Sequence, residues 1–149
     1  MALNAAARAL CEALKLEPHP EGGWYRETWR ADADDGQRSP GTAIHFLLAA
    51  GERSHWHAVD ATEIWCWHAG DPLALHIAEE QSERRRTIML GADIAADQAP
   101  QAIVPAHHWQ TAEPTAGGAG YTLVSCMVVP GFEFDGFTLA PPGWSPGRS

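Results

Sequence analysis

The sequence has few basic residues and no long apolar run, and each shortage excludes a class of function. Only 10 of its 149 residues are Lys or Arg, against 19 Asp or Glu, and the net charge is −9 at pH 7. Nucleic-acid binding needs a basic face that neutralises phosphates, so we expect no nucleic-acid partner. The one basic run, residues 84–86, follows Glu79, Glu80 and Glu83 and predicts a solvated hairpin tip. No apolar stretch approaches the roughly 20 residues of a membrane-spanning helix, so we expect no membrane association.

Cysteine is also scarce, and its pattern bears on the cellular compartment. Cys11, Cys66 and Cys126 are odd in number and lack the spacing of a structural metal site. Proteins of oxidising compartments commonly pair their cysteines in disulfides, and an odd number of widely spaced cysteines does not indicate such pairing. We therefore expect reduced, mostly buried thiols. The first residues mix acidic and basic side chains with apolar ones, which is not typical of a secretory leader. We therefore expect a cytoplasmic protein.

The chain begins with a helical pattern. Apolar residues recur at helical spacing from Leu3 to Leu14, and Asn4 is suited to cap the amino end of a helix. Pro18 and Pro20 cannot continue a helix. The sequence therefore predicts one N-terminal helix within residues 1–17.

After the prolines the apolar pattern changes to the period of two that strands show. Residues 44–48 and 73–77 alternate, and residues 121–129 are apolar on both faces, as in the inner sheet of a two-layer structure. Eleven Pro and 14 Gly separate these segments at short intervals, as an all-β fold requires. We predict one all-β domain over residues 1–149, with at least eight strands and a flexible tail at residues 141–149.

The residues best suited to metal binding or catalysis lie within residues 51–72. On an extended strand His55 and His57 project to the same face, and Glu63 shares a face with Trp65 on the strand that follows a short turn. If the two strands form a hairpin, two imidazoles and a carboxylate meet and could hold a divalent transition metal. The same groups could instead act as a general base and the residue that orients it.

These residues resemble the first conserved motif of the cupins, which is His-x-His, a Glu shortly after, and a Gly seven residues past the Glu. The second cupin motif, Pro-x-Gly-x-x-His, has a degenerate counterpart in VPAHHWQ. Pro105 matches it, His107 stands where Gly is usual, and Gln110 stands where the metal-binding His would be.

The chain is more closely similar to a small cupin-like family without an established reaction. The resemblance extends over roughly residues 14 to 139 and is carried by ordered segments, which are PHPEGGWYRET (18–28), TAIHFLL (42–48), SHWHAVDATEIW (54–65), VPAHHWQ (104–110) and VPGFEF (129–134). It implies a double-stranded β-helix, the cupin or jelly-roll barrel, with a small-molecule pocket inside the barrel. It also implies a homodimer.

Two departures from the metal-binding cupins affect the expected metal site. Five residues separate His57 from Glu63, one more than in those cupins, and Gln110 replaces the second-motif His. In the closer family His57 and Glu63 belong to the pattern, whereas His55 occupies a variable position. An amide is a poor ligand for Zn, Fe, Mn or Ni, so the site is incomplete unless His55 restores it.

Four further residues are candidate ligand contacts. In the strand 24–28, Arg26 lies on one face and Tyr25 on the other, and the sequence does not decide which face lines the pocket. Arg26 offers a guanidinium fork for a carboxylate or phosphate. Trp65 would give the pocket an aromatic wall. Gln110 takes its role from its place in the second motif.

Three functions remain open from the sequence. The first is a metal-independent isomerase or epimerase acting on a small polar metabolite, with His57 as base and Glu63 orienting it or acting as acid. The second is a metal-dependent isomerase or dioxygenase that uses His55, His57 and Glu63. The third is a non-catalytic dimer that binds or stores a ligand.

Overall fold

The computed structural model describes residues 3–79 and 84–147 and consists mostly of strands. In this part of the chain the elements are α1 (Ala5–Leu14), β1 (Glu17–Pro18), β2 (Trp24–Arg30), β3 (Thr42–Ala49), β4 (Ser54–Val59), β5 (Thr62–Gly70), β6 (Leu73–Ala78), β7 (Arg85–Leu90), β8 (Gln101–Val104), β9 (Trp109–Pro114), β10 (Tyr121–Val129) and β11 (Phe137–Leu139). Two short 3-10 helices lie at Ile94–Ala96 and Phe134–Gly136. The predicted all-β fold with one N-terminal helix is confirmed. No helix among the described residues is long and apolar enough to cross a membrane.

Helix α1 begins where the sequence places its cap. The Asn4 side chain accepts a hydrogen bond from the backbone N–H of Ala7, which satisfies one of the unpaired donors at the amino end. The helix ends earlier than the prolines suggest, because Lys15 adopts a left-handed conformation with a φ of 58°. Its buried face, formed by Ala7 and Cys11, packs on Leu47 outside the barrel.

The strands form two antiparallel sheets that face each other. The larger sheet has the order β1-β2-β3-β10-β5-β8, and the smaller has the order β11-β4-β9-β6-β7. The core lies between them and includes Phe46, Trp65 and Val124 from the larger sheet and Leu75 and Ile77 from the smaller. Burial of such apolar side chains is the main stabilising contribution in a domain of this kind.

The connection from β4 to β5 differs from the prediction. The sequence suggested a hairpin, but β4 pairs with β9 and β11 in the smaller sheet, whereas β5 pairs with β10 and β8 in the larger. The chain therefore crosses from one sheet to the other at Asp60 and Ala61. Arg38 holds this crossing, because its guanidinium donates two hydrogen bonds to the Asp60 carboxylate, of 2.7 and 3.0 Å. Side chains near the end of β4 and near the start of β5 therefore come from opposite sheets and face each other across the barrel.

The segment expected to be a flexible tail makes contacts with the smaller sheet. The Trp144 ring packs 4.5 Å from the Trp109 ring, centroid to centroid. The ring nitrogen Nε2 of His55 donates to the carbonyl oxygen of Pro141 over 3.0 Å. These contacts hold residues 141–147 along the outer side of the smaller sheet. Residues 148–149 of the predicted tail, and residues 80–83 of the predicted hairpin tip, lie outside the described residues.

Candidate functional site

A cavity of about 540 Å³ opens between the two sheets. Its buried part carries the titratable side chains, which are His19, Glu21, His57, Glu63 and Cys126. Its mouth is lined by the rings of Phe132, Phe134 and Phe137, which contact one another, and by four exposed charged side chains, which are Glu27, Arg30, Glu133 and Asp135. A cavity of this size and composition suits a small organic molecule that carries polar groups.

The two residues that the sequence singled out first, His57 and Glu63, both line this cavity. They reach it from opposite sheets, because His57 lies on β4 and Glu63 on β5. The side chain in contact with His57 is Glu21, whose Oε2 lies 3.1 Å from His57 Nε2. Both side chains of this pair are almost completely buried.

One proton is shared in the contact between Glu21 and His57. The Nδ1 atom of His57 lies 2.8 Å from the carbonyl oxygen of His55 and must donate to it. In the neutral ring, Nε2 is then the accepting nitrogen. Burial lowers the pKa of His57 to about 4. Burial, and then the charge of Glu63, raise the pKa of Glu21 well above its usual range. Both directions place the proton on the Glu21 carboxyl, which donates it to His57.

Glu21 enters the barrel because two glycines shape the turn that carries it. The turn is closed by backbone hydrogen bonds from His19 to Gly23 (2.8 Å) and from Gly22 to His19 (3.0 Å). Gly22 has a φ of 102°, which side-chain-bearing residues rarely adopt, and a Cβ there would overlap the carbonyl oxygen of Arg53. The backbone N–H of His55 donates to the carbonyl oxygen of Glu21 over 2.6 Å. The turn is therefore fixed directly on β4.

His19 places a second imidazole beside this pair. Its Nδ1 accepts a hydrogen bond of 3.0 Å from the backbone N–H of Glu21. Burial, and then the proximity of His57, lower the pKa of His19 to about 4, so its ring is neutral near pH 7. The ring meets Tyr25 edge-on, with 4.4 Å between centroids. His19 thus orients the turn and forms part of the cavity wall.

Glu63 is held by a chain of hydrogen bonds that joins the two sheets. Its Oε1 accepts from Gln110 Nε2 over 2.9 Å, and Gln110 Oε1 accepts from Trp65 Nε1 over 2.9 Å. Burial raises the pKa of Glu63 to about 7, and hydrogen bonds from Gln110 and Cys126 oppose that rise. The carboxyl of Glu63 can therefore gain or lose a proton near neutral pH. Burial and the nearby carboxylates raise the pKa of the Cys126 thiol, which keeps it protonated.

Three of the four predicted ligand contacts do not line the cavity. Tyr25 does line it, so the structure decides which face of β2 is internal. Arg26 is on the opposite face, where its Nε donates to the carbonyl oxygen of Leu14 at the end of α1, over 2.7 Å. Trp65 and Gln110 lie behind Glu63, within the core, and support that residue instead. The aromatic wall that Trp65 was expected to supply comes from the phenylalanines of the mouth.

His55 does not share the interior face with His57, because β4 contains a bulge. Ser54 pairs with Ala112 and His57 pairs with Gln110, so three steps along β4 match two along β9. The extra residue breaks the alternation, so both His55 and Trp56 point away from the cavity, and Trp56 stays buried on the outer side of the sheet, packed with Trp109 and Trp144. His55 instead lines an outer groove.

The predicted metal site of His55, His57 and Glu63 is therefore not assembled. Among residues 3–79 and 84–147, no group of three His, Cys, Asp or Glu is arranged to hold a metal ion. Within the cavity, Nε2 of His57 is already engaged by Glu21, and Glu63 is engaged by the amide of Gln110. These donors fit proton transfer better than they fit a divalent transition metal.

Sequence reasoning missed Glu21, although the signal for it was present. The residue stands in the segment PHPEGG, where a glutamate and two glycines follow two rigid prolines. Such a segment forms a tight turn, and a tight turn can carry a side chain into a cavity. The period of two that identified His57 and Glu63 does not apply to turns, so it gave no information on where Glu21 points.

Comparison with known proteins agrees with this architecture. Residues 8–140 match the family model described as Cupin superfamily (DUF985). A hypothetical protein from Leishmania major is 34% identical, and the alignment covers 90% of this chain and 86% of that one, with a TM-score of 0.81. A protein from Shewanella oneidensis is 39% identical over 90% of this chain and 84% of its own, with a TM-score of 0.83.

More distant structures share the fold alone. A variant of the oxalate decarboxylase from Bacillus subtilis is 12% identical, with a TM-score of 0.62 over 83% of this chain and 29% of that one. No relative is found among proteins with curated descriptions. The family match covers nearly the whole barrel, and two solved structures above 30% identity cover most of the chain. The chain therefore belongs to the DUF985 family of the cupin superfamily.

Proposed function

We propose that this protein binds a small polar metabolite in the barrel cavity and moves protons on it without a metal, as an isomerase or epimerase does. The observation that carries the proposal is the pair of buried proton-holding groups in one cavity. Glu21 is protonated and contacts His57 over 3.1 Å, whereas Glu63 titrates near neutral pH. Two titratable groups whose surroundings assign them different protonation states are typical of acid–base catalysis.

Each group has a distinct role in the proposed reaction. Glu63, as the carboxylate, removes a proton from a carbon next to a carbonyl group of the metabolite. Glu21 delivers its own proton to the resulting carbanion at the opposite face or at the neighbouring carbon. The product leaves Glu63 protonated and Glu21 ionised, and exchange with water returns both to their starting states. The reaction needs no oxidant, reductant or other co-reactant.

His57 positions the acid in this scheme, and Glu63 takes the role of base that the sequence suggested for His57. Its Nδ1–H is fixed on the carbonyl oxygen of His55, so Nε2 points towards Glu21 and holds the Glu21 proton in one direction. When Glu21 gives up its proton, the neutral imidazole beside it can accept a proton from solvent or product. A buried general acid with a fixed partner keeps its geometry through the reaction.

Hydrogen–deuterium exchange at carbon tests the proposal and does not require that the substrate be identified first. The protein is incubated in D₂O with a mixture of small carbonyl metabolites, and mass spectrometry detects carbon-bound deuterium. We expect the wild-type protein to label at least one compound, and Glu63→Gln to lower that rate at least about a hundredfold because the base is lost.

The matched control is Glu113→Gln, which changes an exposed glutamate on β9 that contacts His76 outside the cavity. This variant should label at the wild-type rate. A compound that binds the cavity without being labelled by the wild-type protein would contradict catalysis and support a ligand-binding or storage function.

We also propose that the protein is a homodimer, as members of cupin-like families often are. The support is a row of apolar residues on the outer face of the larger sheet, where the strand registers align Trp29, Ala43, Met127, Ile64 and Ile103. Trp29 and Ile103, at the two ends of the row, are each more than half exposed. A second copy that covered the same row would bury it by a two-fold contact.

Light scattering tests the dimer. We expect a mass near twice the 16.1 kDa of the chain, and a shift towards the monomer mass in Ile103→Glu, because a charge within an apolar contact is costly. A monomer mass for the wild-type protein at micromolar concentration would contradict the proposal.

We also propose a cytoplasmic location, which the absence of disulfides among the three cysteines supports. All three cysteines are free, and Cys126 is buried against the carboxyl of Glu63. Cell fractionation should recover the protein with cytoplasmic markers, and recovery with secreted proteins would contradict this.

A further inference from the structure

A second concave site lies on the outer side of the smaller sheet, away from the barrel cavity. It is a groove of about 390 Å³ whose cationic and aromatic lining consists of Arg53, His55, Arg85, Trp56 and Trp144. The remaining lining comes from Gly143 and Ser145 of the C-terminal segment. Its residues come from the start of β4, the start of β7 and residues 143–145, so the fold itself brings them together.

The groove concentrates positive charge on a protein whose net charge is −9. Arg53 donates a hydrogen bond of 3.3 Å to the Thr111 hydroxyl, and the Arg85 guanidinium lies 5.3 Å above the Trp56 ring. Within residues 3–79 and 84–147, no carboxylate lies within ion-pair distance of either arginine. The described lining likewise includes no acidic side chain. A guanidinium has five N–H donors, and the contacts among the described residues engage only a few of them, so an anion in the groove could accept hydrogen bonds from both arginines.

His55 adds a third group that can face an anion. Its Nε2 donates a hydrogen bond to the carbonyl oxygen of Pro141, and this bond fixes the ring in the groove. The other ring nitrogen, Nδ1, takes no part in that hydrogen bond. The bulge in β4 that removes His55 from the cavity is what places it here.

We propose that this groove binds a phosphate monoester that carries a planar ring. Two guanidinium forks from separate strands match the several oxygens and double charge of a phosphate better than those of a single carboxylate. The indole of Trp144 lines the same groove, and its packing on Trp109 holds it in place. A planar ring attached to the phosphate can stack on that indole. The site is independent of the acid–base function proposed for the cavity.

Isothermal titration calorimetry with two probes, inorganic phosphate and phenyl phosphate, tests the site. We expect phenyl phosphate to bind more tightly than phosphate, and Arg53→Gln and Arg85→Gln each to weaken both probes about tenfold, the loss of one charged hydrogen bond. Trp144→Leu should remove the advantage of phenyl phosphate and leave phosphate binding unchanged. Because both arginines are exposed, circular dichroism should show an unchanged fold in these variants.

Arg86→Gln is the matched control, since Arg86 is the exposed neighbour of Arg85 and does not line the groove. This variant should bind both probes as the wild-type protein does. The proposal is overturned if neither probe binds at millimolar concentration, or if Arg53→Gln and Arg85→Gln bind like the wild type. It is equally overturned if Glu21→Gln, and not the arginine variants, loses phenyl phosphate, because the probe would then occupy the cavity.

Discussion

The barrel cavity and the outer groove meet on one strand, where His57 and His55 stand two residues apart with opposite surroundings. His57 is almost fully buried among the carboxyl groups of Glu21 and Glu63. His55 is half-buried beside two arginines and two tryptophans. The same type of side chain therefore lies beside buried carboxyl groups in the cavity and beside exposed cationic groups in the groove.

The difference shows that burial, more than residue type, determines what a histidine can do here. In the cavity, the loss of hydration holds His57 neutral and Glu21 protonated, so the groups exchange protons and carry little net charge. In the groove, the exposed guanidiniums remain charged, so the expected chemistry is attraction of an anion. Each of the following experiments tests one side of this comparison.

The largest effect is expected from removing the buried acid. Glu21→Gln should lower carbon-bound deuterium labelling by at least about a hundredfold, because an amide cannot deliver the proton that His57 orients. The same variant should bind phenyl phosphate with wild-type affinity, since Glu21 does not line the groove. Mass spectrometry and calorimetry on one protein preparation measure both. Equal loss in both assays would show that the two regions are not independent.

The next largest effect concerns the pH dependence of stability. Burial raises the pKa of Glu63 from 4.5 to about 7, so the folded protein holds this proton more tightly than the unfolded chain does. The resulting stability is complete below pH 4.5 and is lost as the pH rises towards 7, by about 3 kcal/mol. Glu63→Gln cannot ionise, so its free energy of unfolding relative to wild type should increase by about that amount over this range.

Denaturant unfolding of both proteins at several pH values measures this difference. His19 and His57 act in the opposite direction, because their pKa values of about 4 remove stability as the pH falls from 6.5 towards 4. Both proteins contain these histidines, so their contribution cancels in the difference. A difference that does not change with pH would mean that Glu63 is not desolvated.

A smaller effect is expected from the hydrogen bonds behind the cavity. Gln110→Leu leaves Trp65 Nε1–H and Glu63 without their shared partner, which should reduce the free energy of unfolding by about 2 kcal/mol. It should also raise the pKa of Glu63 further, because the Gln110 hydrogen bond favours the ionised form. Unfolding experiments measure the first change and NMR titration the second. Glu113→Gln, at an exposed position on the same strand, serves as a control that leaves this pair intact.

The smallest effect is expected at the outer histidine. His55→Gln should change the free energy of unfolding by less than about 1 kcal/mol, since the side chain makes one hydrogen bond at a half-buried position. His57→Gln, at the buried position, should cost more because it disturbs two contacts inside the barrel. Comparable losses in thermal unfolding would contradict the assignment of the two histidines to different environments.

Much of the local structure could be predicted because it depends on residues close together in sequence. Asn4 caps α1 through a bond three residues away, and the apolar run 121–129 coincides with β10. His57 and Glu63 could likewise be assigned to the interior by motif and spacing. The exact helix end could not be predicted from the prolines, because the left-handed conformation of Lys15 ends the helix before either of them.

Only the tertiary structure decided which groups meet. A period of two indicates the face on which a side chain lies, but not the sheet to which its strand belongs, so the crossing at Asp60 and Ala61 appeared as a hairpin. The bulge in β4 depends on its pairing with β9, more than 50 residues away. It places His55, which the sequence predicted as a metal ligand, in the outer groove. Glu21 meets His57 because a glycine turn packs onto a strand more than 30 residues later. Long-range hydrogen bonds of this kind leave no periodic trace in the sequence.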